Sequence, residues 1–371
     1  MCKEQKIFIA DENYSALKEY ISTCGINKLF LIHGKTFYKI PIAKFFSELK
    51  IQIVHFTDFT PNPDYKSVVV GVEIFKNENC DAVMAIGGGS AIDVAKCIKL
   101  FANMKGANYL QQEIIPNEIQ LIAAPTTIGT GAESTHFAVI YNAGNKISVA
   151  DESALPDAIL FDTSVLKFLP DYQKKSGILD ALCHSFEASW SLNSNEVAQE
   201  FALEAVRLIY SNKNIYISKN PSETCHSCMF YAARLAGKAI NIARTTAGHA
   251  MSYKLTQKYG IAHGHAAALC VAEVWAYMYK NFADSKLQKI FGKIAESMGF
   301  SKVEDAIKDF KNLLNIWQFD KPISKNATVE EINFLADSVN IQRLKNNPVV
   351  LDRDTIKNIY VQILKRDFYA D

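Results

Sequence analysis

Apolar residues follow two different rhythms along this chain. In the first 160 residues, short and mostly apolar runs at Leu29–Ile32, Ile51–Val54, Ala82–Ile86, Leu121–Ala124 and Ala158–Phe161 alternate with helical stretches. Such runs, bounded by turn-forming residues, predict strands of a largely parallel sheet covered on both faces. Between two of them Ala91, Val94, Ala95, Ile98 and Phe101 recur at three- and four-residue intervals, the stripe of a helix packed on that sheet. From about residue 164 the strand rhythm stops. Amphipathic stretches then follow one another at 178–190, 197–211, 225–239, 246–258, 265–280, 285–298, 303–316, 328–339 and 353–364. The expected fold class is therefore α/β plus all-α, with Pro156 and Pro170 bracketing a boundary near 163.

Composition narrows the function classes. The 371 residues suit two domains at roughly 100–200 residues each. Lysine plus arginine number 40 against 39 acidic residues, a net charge of +1. No long-range field would gather polyanions, so neither nucleic acid nor a membrane surface is an expected partner. The N-terminus lacks a signal-like apolar run, and no stretch of ~18 apolar residues occurs, so the expected location is cytoplasmic. The eight cysteines are scattered, which predicts reduced thiols. Cys225-His226-Ser227-Cys228 lacks the second pair that a zinc finger needs.

Two loops carry candidate chemistry in the first half. Gly87-Gly88-Gly89-Ser90 follows the Ala82–Ile86 run directly and opens the 91–101 helix, with Asp93 spaced as a capping-box partner of Ser90. A turn without Cβ atoms lets backbone N–H groups and a helix N-terminus approach a pyrophosphate. Pro125-Thr126-Thr127-Ile128-Gly129-Thr130-Gly131 follows another apolar run and adds hydroxyls. Both loops point at one ligand.

The second half carries metal-ligand chemistry. Asp180 and His184 stand four apart on an expected helix, so both project from one face. Downstream come His249 and, fourteen residues later, His263-Gly264-His265. One carboxylate and three imidazoles suit Fe²⁺, or alternatively Zn²⁺, with room for a substrate oxygen.

The segments GGGSAIDVAK at 87–96, PTTIGTGAE at 125–133, GILDALCHSFE at 177–187 and the spacing from His249 to His263-Gly264 together resemble the iron-containing, group III alcohol dehydrogenase family. The resemblance runs collinearly from about residue 25 to 365. It implies a Rossmann-like dinucleotide-binding domain over 1–163 and a helical metal-binding domain over 164–371, a dehydroquinate synthase-like architecture with the metal in the cleft between them. It also implies Asp180, His184, His249 and His263 as metal ligands. Gly87, Gly88, Gly89 and Ser90 would take the pyrophosphate, and Thr126, Thr127 and Thr130 would line the cofactor site. Pro61-Asn62-Pro63 matches a family turn near the cofactor. A homodimer is the expected assembly.

Two departures from the family pattern bear on cofactor and substrate. Where relatives often carry an Asp for the ribose 2′-hydroxyl, this chain has Gly34 followed by Lys35, which favours NADPH over NADH. Around His249 the chain reads Arg244-Thr245-Thr246 before it and Tyr253-Lys254 after it. Relatives keep small or apolar residues, a second His and a Pro there. Arg244 and Lys254 supply cations, and Thr245 and Thr246 supply hydroxyls, for an anionic substrate. The stretch is similar to that of the phosphonoacetaldehyde reductases, which convert phosphonoacetaldehyde to 2-hydroxyethylphosphonate.

In the implied reaction the metal polarises an aldehyde, NAD(P)H supplies hydride, and a primary alcohol results. Tyr253, His265 or a water relay would supply the proton. Competing readings are a generic iron-dependent dehydrogenase of neutral alcohols, a dehydroquinate synthase-like lyase, which would need a Glu and two His ligands, and a binding protein without catalysis.

Overall fold

The computed structural model describes residues 4–106, 108–319 and 327–364; Cys2 lies outside them. The chain divides into two compact units, Met1–Leu169 and Pro170–Asp371. The expected boundary near 163 falls in the 3-10 helix Thr163–Phe168.

The strands of the first unit are β1 Lys6–Ile9, β2 Lys28–His33, β3 Gln52–Phe56, β4 Ala82–Gly87, β5 Gln120–Pro125, β6 Phe137–Asn142, β7 Asn145–Ala150 and β8 Ala158–Phe161. Its helices are α1 Ser15–Thr23, α2 Ile42–Glu48, α3 Tyr65–Asn77 and α4 Gly89–Phe101. Among the described residues six strands form a sheet in the order β1-β8-β5-β4-β2-β3, and every pairing in it is parallel. Central β4 is buried from Ala82 to Ile86, which is why its sequence shows a continuous apolar run rather than alternation.

Two features were not expected from the apolar pattern. β1 is an edge strand of four residues with Lys6, Ile7 and Ile9 exposed, too short to announce itself. β6 and β7 form a separate antiparallel hairpin around Ala143-Gly144, both at positive φ, the conformation that a two-residue hairpin turn demands. The capping box also fails. The N-cap of α4 is Gly88, no side chain caps the helix, and Ser90 already lies inside its first turn. Asp93 is occupied elsewhere, beside Lys96 and bonded to the Val139 backbone; burial pushes its carboxyl up to about 6.

The second unit contains α5 Asp171–Trp190, α6 Glu196–Tyr216, α7 Glu223–Ala243, α8 Ala247–Tyr259, α9 His263–Asn281, α10 Ser285–Ser297, α11 Val303–Ile316, α12 Val329–Asp337, α13 Ile341–Leu344 and α14 Arg353–Leu364. Side-chain caps mark several starts: Asn195 accepts from Ala198 N, Ser222 from Cys225 N and Asp284 from Leu287 N. Helix α5 is the centre of this unit, packed by α6, α7 and α9, and every residue from Ile178 to Trp190 is buried. An Asp, a His and a Glu on a helix buried all round are costly unless they are partnered or ligated.

Candidate metal centre and nucleotide turn

One glycine brings α9 onto α5 and another brings α8 against α9. A Cβ on Gly264 would lie 2.0 Å from the Ser176 carbonyl oxygen and 2.7 Å from Asp180 Cβ. A Cβ on Gly248 would lie 2.3 Å from Val271 Cγ2 and 3.1 Å from Glu187 Oε1. Only hydrogen fits at either place, and the adjacent His249 and His263 are thereby delivered to the Asp180 carboxylate.

Ligand atoms of Asp180, His184 and His249 all lie within 4.8 Å of one another, and all three residues are buried. The rings of His184 and His249 stack at 4.5 Å and 12°. His249 Nε2 stands 3.6 Å from Asp180 Oδ1, and both atoms are buried without a hydrogen-bond partner. An unsatisfied carboxylate oxygen facing an unsatisfied imidazole nitrogen fits a divalent ion, whose bonds to such donors run about 2.0–2.2 Å. His263 is more open. Its Nε2 lies 3.9 Å from Asp180 Oδ1, its ring sits 5.3 Å from that of His249, and it falls outside the tight group of three.

Behind the group stands Glu187, which the sequence motif contained but to which no role was given. Its Oε1 accepts from Thr246 N at 3.1 Å, Thr246 Oγ1 at 2.6 Å and His249 N at 3.3 Å, and His249 Nδ1 donates to its Oε2. That bond fixes the ring so that Nε2 faces Asp180. Burial works against charge on both partners, yet the mutual attraction wins. The Glu187 carboxyl is held below its usual range, and His249, with Asp180 also pulling on it, is pushed up to about 9. For Asp180, burial is outweighed by the charges of His184, His249 and His263, and its carboxyl falls well below the usual range.

The other expected site residues disperse. Thr246 is fully buried; its hydroxyl donates to Glu187 and accepts from Trp190 Nε1 at 3.0 Å, so its one proton is committed inside the unit. Arg244 is exposed at the C-cap of α7, at φ 60°, and is not on the helix that carries His249. Thr245 is half-buried and its carbonyl accepts from Asn346 Nδ2 at 3.3 Å. Lys254 bonds Gln257 Oε1 at 2.7 Å and lies over the Phe334 ring, at α12. The two expected cations thus stand on different elements, Arg244 at the end of α7 and Lys254 within α8. A different cation takes a place nearby: Arg343 of α13 donates to the Tyr253 hydroxyl at 3.0 Å, and the Tyr253 ring stacks on His263 at 5.5 Å and 9°. A lone Arg in a four-residue helix gave no sequence signal.

His265 is not placed as a proton donor. It is buried, stacks on Phe319 at 4.3 Å and meets the Tyr172 hydroxyl at 3.2 Å. That hydroxyl also accepts from Ala262 N at 2.9 Å. Burial lowers the imidazole to about 4 and keeps it neutral. Among the described residues Cys225 and Cys228 join no metal group, and every cysteine is a free thiol.

In the first unit the two expected loops touch. A Cβ on Gly88 would come 3.2 Å from Thr127 Oγ1, and one on Gly89 3.0 Å from Thr130 Cγ2. Thr126 N donates to Gly87 O at 3.0 Å. Asn62, at positive φ in the Pro61-Asn62-Pro63 turn, donates its N–H to Ser90 Oγ at 3.3 Å. Two buried lysines of α4 brace this arrangement: Lys96 reaches Thr135 Oγ1 and Phe137 O, each at 2.8 Å, and Lys99 pairs with Asp157 at 3.1 Å. The uncapped N-terminus of a thirteen-residue helix, opened by bare glycine backbone, fits a pyrophosphate. Gly34 and Lys35 stand one strand away, after β2, with Lys35 exposed.

Comparison with known proteins agrees with both units. Residues 4–163 match the family profile of iron-containing alcohol dehydrogenases, and residues 175–364 match the C-terminal profile of the Fe-containing alcohol dehydrogenase family. The chain is 28% identical to a phosphonoacetaldehyde reductase of Streptomyces viridochromogenes, over 82% of this chain and 80% of that protein. It is 31% identical to alcohol dehydrogenase 4 of Saccharomyces cerevisiae, over 73% of this chain and 72% of that one. Among solved structures, sulfoacetaldehyde reductase from Bifidobacterium kashiwanohense, in complex with NAD⁺, superposes with a TM-score of 0.90 at 26% identity, over 98% of both chains. The chain belongs to the iron-containing alcohol dehydrogenase family and is an alcohol or aldehyde oxidoreductase linked to a nicotinamide cofactor.

Proposed function

We propose that this protein reduces a short aldehyde bearing a phosphonate or sulfonate group to the corresponding primary alcohol, with phosphonoacetaldehyde as the foremost substrate and NADPH favoured over NADH. The observation that carries the oxidoreductase reading is the convergence of Asp180, His184 and His249 with two facing, unpartnered buried atoms. When bound, a divalent ion there, Fe²⁺ or Zn²⁺, supplies a Lewis acid for the carbonyl, and the dinucleotide supplies the hydride.

The chain's own residues do the rest. Asp180, His184 and His249 hold the ion, with the more open His263 as the fourth ligand, and Glu187 keeps the His249 ring turned. Gly87, Gly88, Gly89 and Ser90 present backbone donors to the pyrophosphate, flanked by Thr126, Thr127 and Thr130. Tyr253 is the proton donor of this reading, because its hydroxyl is polarised by Arg343 and its ring lies against His263. The anionic substrate class is supported by Arg343 at that position and by two relatives named for two-carbon aldehydes with an anionic group. Gly34 leaves room for a 2′-phosphate and Lys35 attracts one. A homodimer is part of the proposal by family resemblance.

Neutral short-chain alcohols are the second reading, favoured by the exposure of Arg244 and the engagement of Lys254 elsewhere. The test is NADPH oxidation with phosphonoacetaldehyde, sulfoacetaldehyde, acetaldehyde and propionaldehyde, each with Fe²⁺ or Zn²⁺ supplied. The proposal expects kcat/KM for an anionic aldehyde to exceed that for propionaldehyde at least about tenfold. Equal values would select the neutral reading, and no turnover of any aldehyde would overturn both.

A further inference from the structure

Beside the glycine turn, the ends of β2 and β3 hold two histidines that the reaction does not use. His33 ends β2, and register sets it opposite Ile86, the residue before Gly87. His55 of β3 pairs in register with Leu31. His33 is buried and His55 exposed. His33 Nδ1 lies 3.1 Å from Gly34 O, and His33 Nε2 lies 2.9 Å from His55 Nδ1.

This chain of contacts determines where the protons sit. A carbonyl oxygen can only accept, so His33 Nδ1 carries the proton in its bond to Gly34. Neutral His33 then has a lone pair on Nε2, and His55 Nδ1 must donate to it. In neutral His55 the remaining Nε2 is consequently an acceptor. Protonation of the pair turns that atom into a donor and adds a positive charge.

In an α/β nucleotide-binding unit, pyrophosphate binds at the glycine turn, and the adenosine ribose lies at the end of the neighbouring strand. That strand is β2 here, ending in His33-Gly34-Lys35. We propose that His55, its tautomer set by His33, reads the ribose 2′ substituent of the dinucleotide: neutral, it accepts from the 2′-hydroxyl of NADH, and protonated, it donates to the 2′-phosphate of NADPH. The inference rests on the dinucleotide reading of the preceding subsection, and it makes cofactor choice dependent on pH.

The surroundings suit such a switch. Phe37 stacks on His33 at 4.1 Å and Tyr38 meets it edge-on at 5.4 Å, both from the 3-10 helix Lys35–Lys39. The Tyr38 phenol and the partner imidazole are the titratable groups whose rings meet His33. Burial lowers both rings from their ordinary value, so at pH 7 the free protein holds the pair neutral. A dianionic 2′-phosphate, with exposed Lys35 as its other cation, raises His55 on binding and draws in a proton. NADH has no charge there to do so.

Calorimetric titration of NADPH and NADH at pH 7, in two buffers of different ionisation enthalpy, reads this proton directly. The second protein is His55→Asn, which keeps a donor for His33 Nε2 but cannot gain a proton. Expected are net proton uptake with NADPH, none with NADH, and in His55→Asn loss of the uptake with about tenfold weaker NADPH binding. Proton-neutral NADPH binding, or uptake unchanged by His55→Asn, overturns the inference while leaving the dinucleotide reading intact. Failure of both cofactors to bind overturns both.

Discussion

Glu187 grips His249 at two points, its backbone N–H and its ring Nδ1, and so turns His249 Nε2 toward Asp180. The carboxylate is not among the three residues whose ligand atoms group together, yet it sets the direction of one of them. Outer partners of this kind typically contribute about 10–100-fold to metal affinity. Glu187→Gln keeps the volume but cannot accept simultaneously from Thr246 and His249 with both termini. Its expected effect is a drop of about that size in affinity for Fe²⁺ or Zn²⁺, measured by competition with a chromophoric chelator, with the circular dichroism of the original protein retained.

The same pair makes metal loading sensitive to pH. Without metal, His249 stays protonated up to about 9, whereas a ligand nitrogen must offer its lone pair. Loading therefore releases a proton, and affinity should climb about tenfold per pH unit through neutrality, flattening above 9. Stability of the metal-free protein runs the other way. A His raised on folding contributes fully below its ordinary 6.5, and the contribution is lost as pH rises through about 9. A Tm of the metal-free protein that does not fall across that interval would contradict the assignment.

Cofactor preference turns on Gly34. A Cβ there meets nothing within 4 Å, so Gly34→Asp is accommodated without displacing the fold. The new carboxylate repels a 2′-phosphate and offers an acceptor to a 2′-hydroxyl. Dissociation constants measured by quenching of protein fluorescence should shift the NADPH-to-NADH preference at least about tenfold toward NADH.

For the substrate anion, Arg343 is the residue to remove. Loss of a charge-assisted contact costs about 1.5–3 kcal/mol, or about ten- to hundred-fold. Arg343→Ala should lower kcat/KM for phosphonoacetaldehyde by that factor beyond the loss for propionaldehyde, which forfeits only the polarisation of Tyr253. Arg244→Ala, at an exposed helix end, should do much less to either. Equal losses for both aldehydes in Arg343→Ala would mean that the residue serves only to hold Tyr253.

Much of this site was legible because its chemistry is local. Asp180 and His184 share one helix face at a spacing of four, and the Gly87–Ser90 turn sits between a continuous apolar strand and a periodic helix. What escaped depends on contacts distant in sequence. Glu187 meets Thr246 and His249 from some sixty positions away, and Arg343 meets Tyr253 from ninety. Helical extrapolation also misled at one point. Arg244 was expected a turn before His249, but α7 ends at Ala243 and α8 begins at Ala247, and the break between them turns Arg244 outward while burying Thr246. His265 misled differently: two residues beyond His263 on α9, it faces Phe319 and Tyr172 instead of Asp180.

The most direct test of a metal-dependent reductase is elemental analysis of the purified protein beside Asp180→Ala, paired with aldehyde-dependent oxidation of NADPH. The account predicts close to one Fe²⁺ or Zn²⁺ per chain in the original protein. In Asp180→Ala it predicts loss of both the metal and the activity, because the buried carboxylate is shared by all the histidines of the group. Stoichiometric metal or undiminished aldehyde reduction in Asp180→Ala would contradict it.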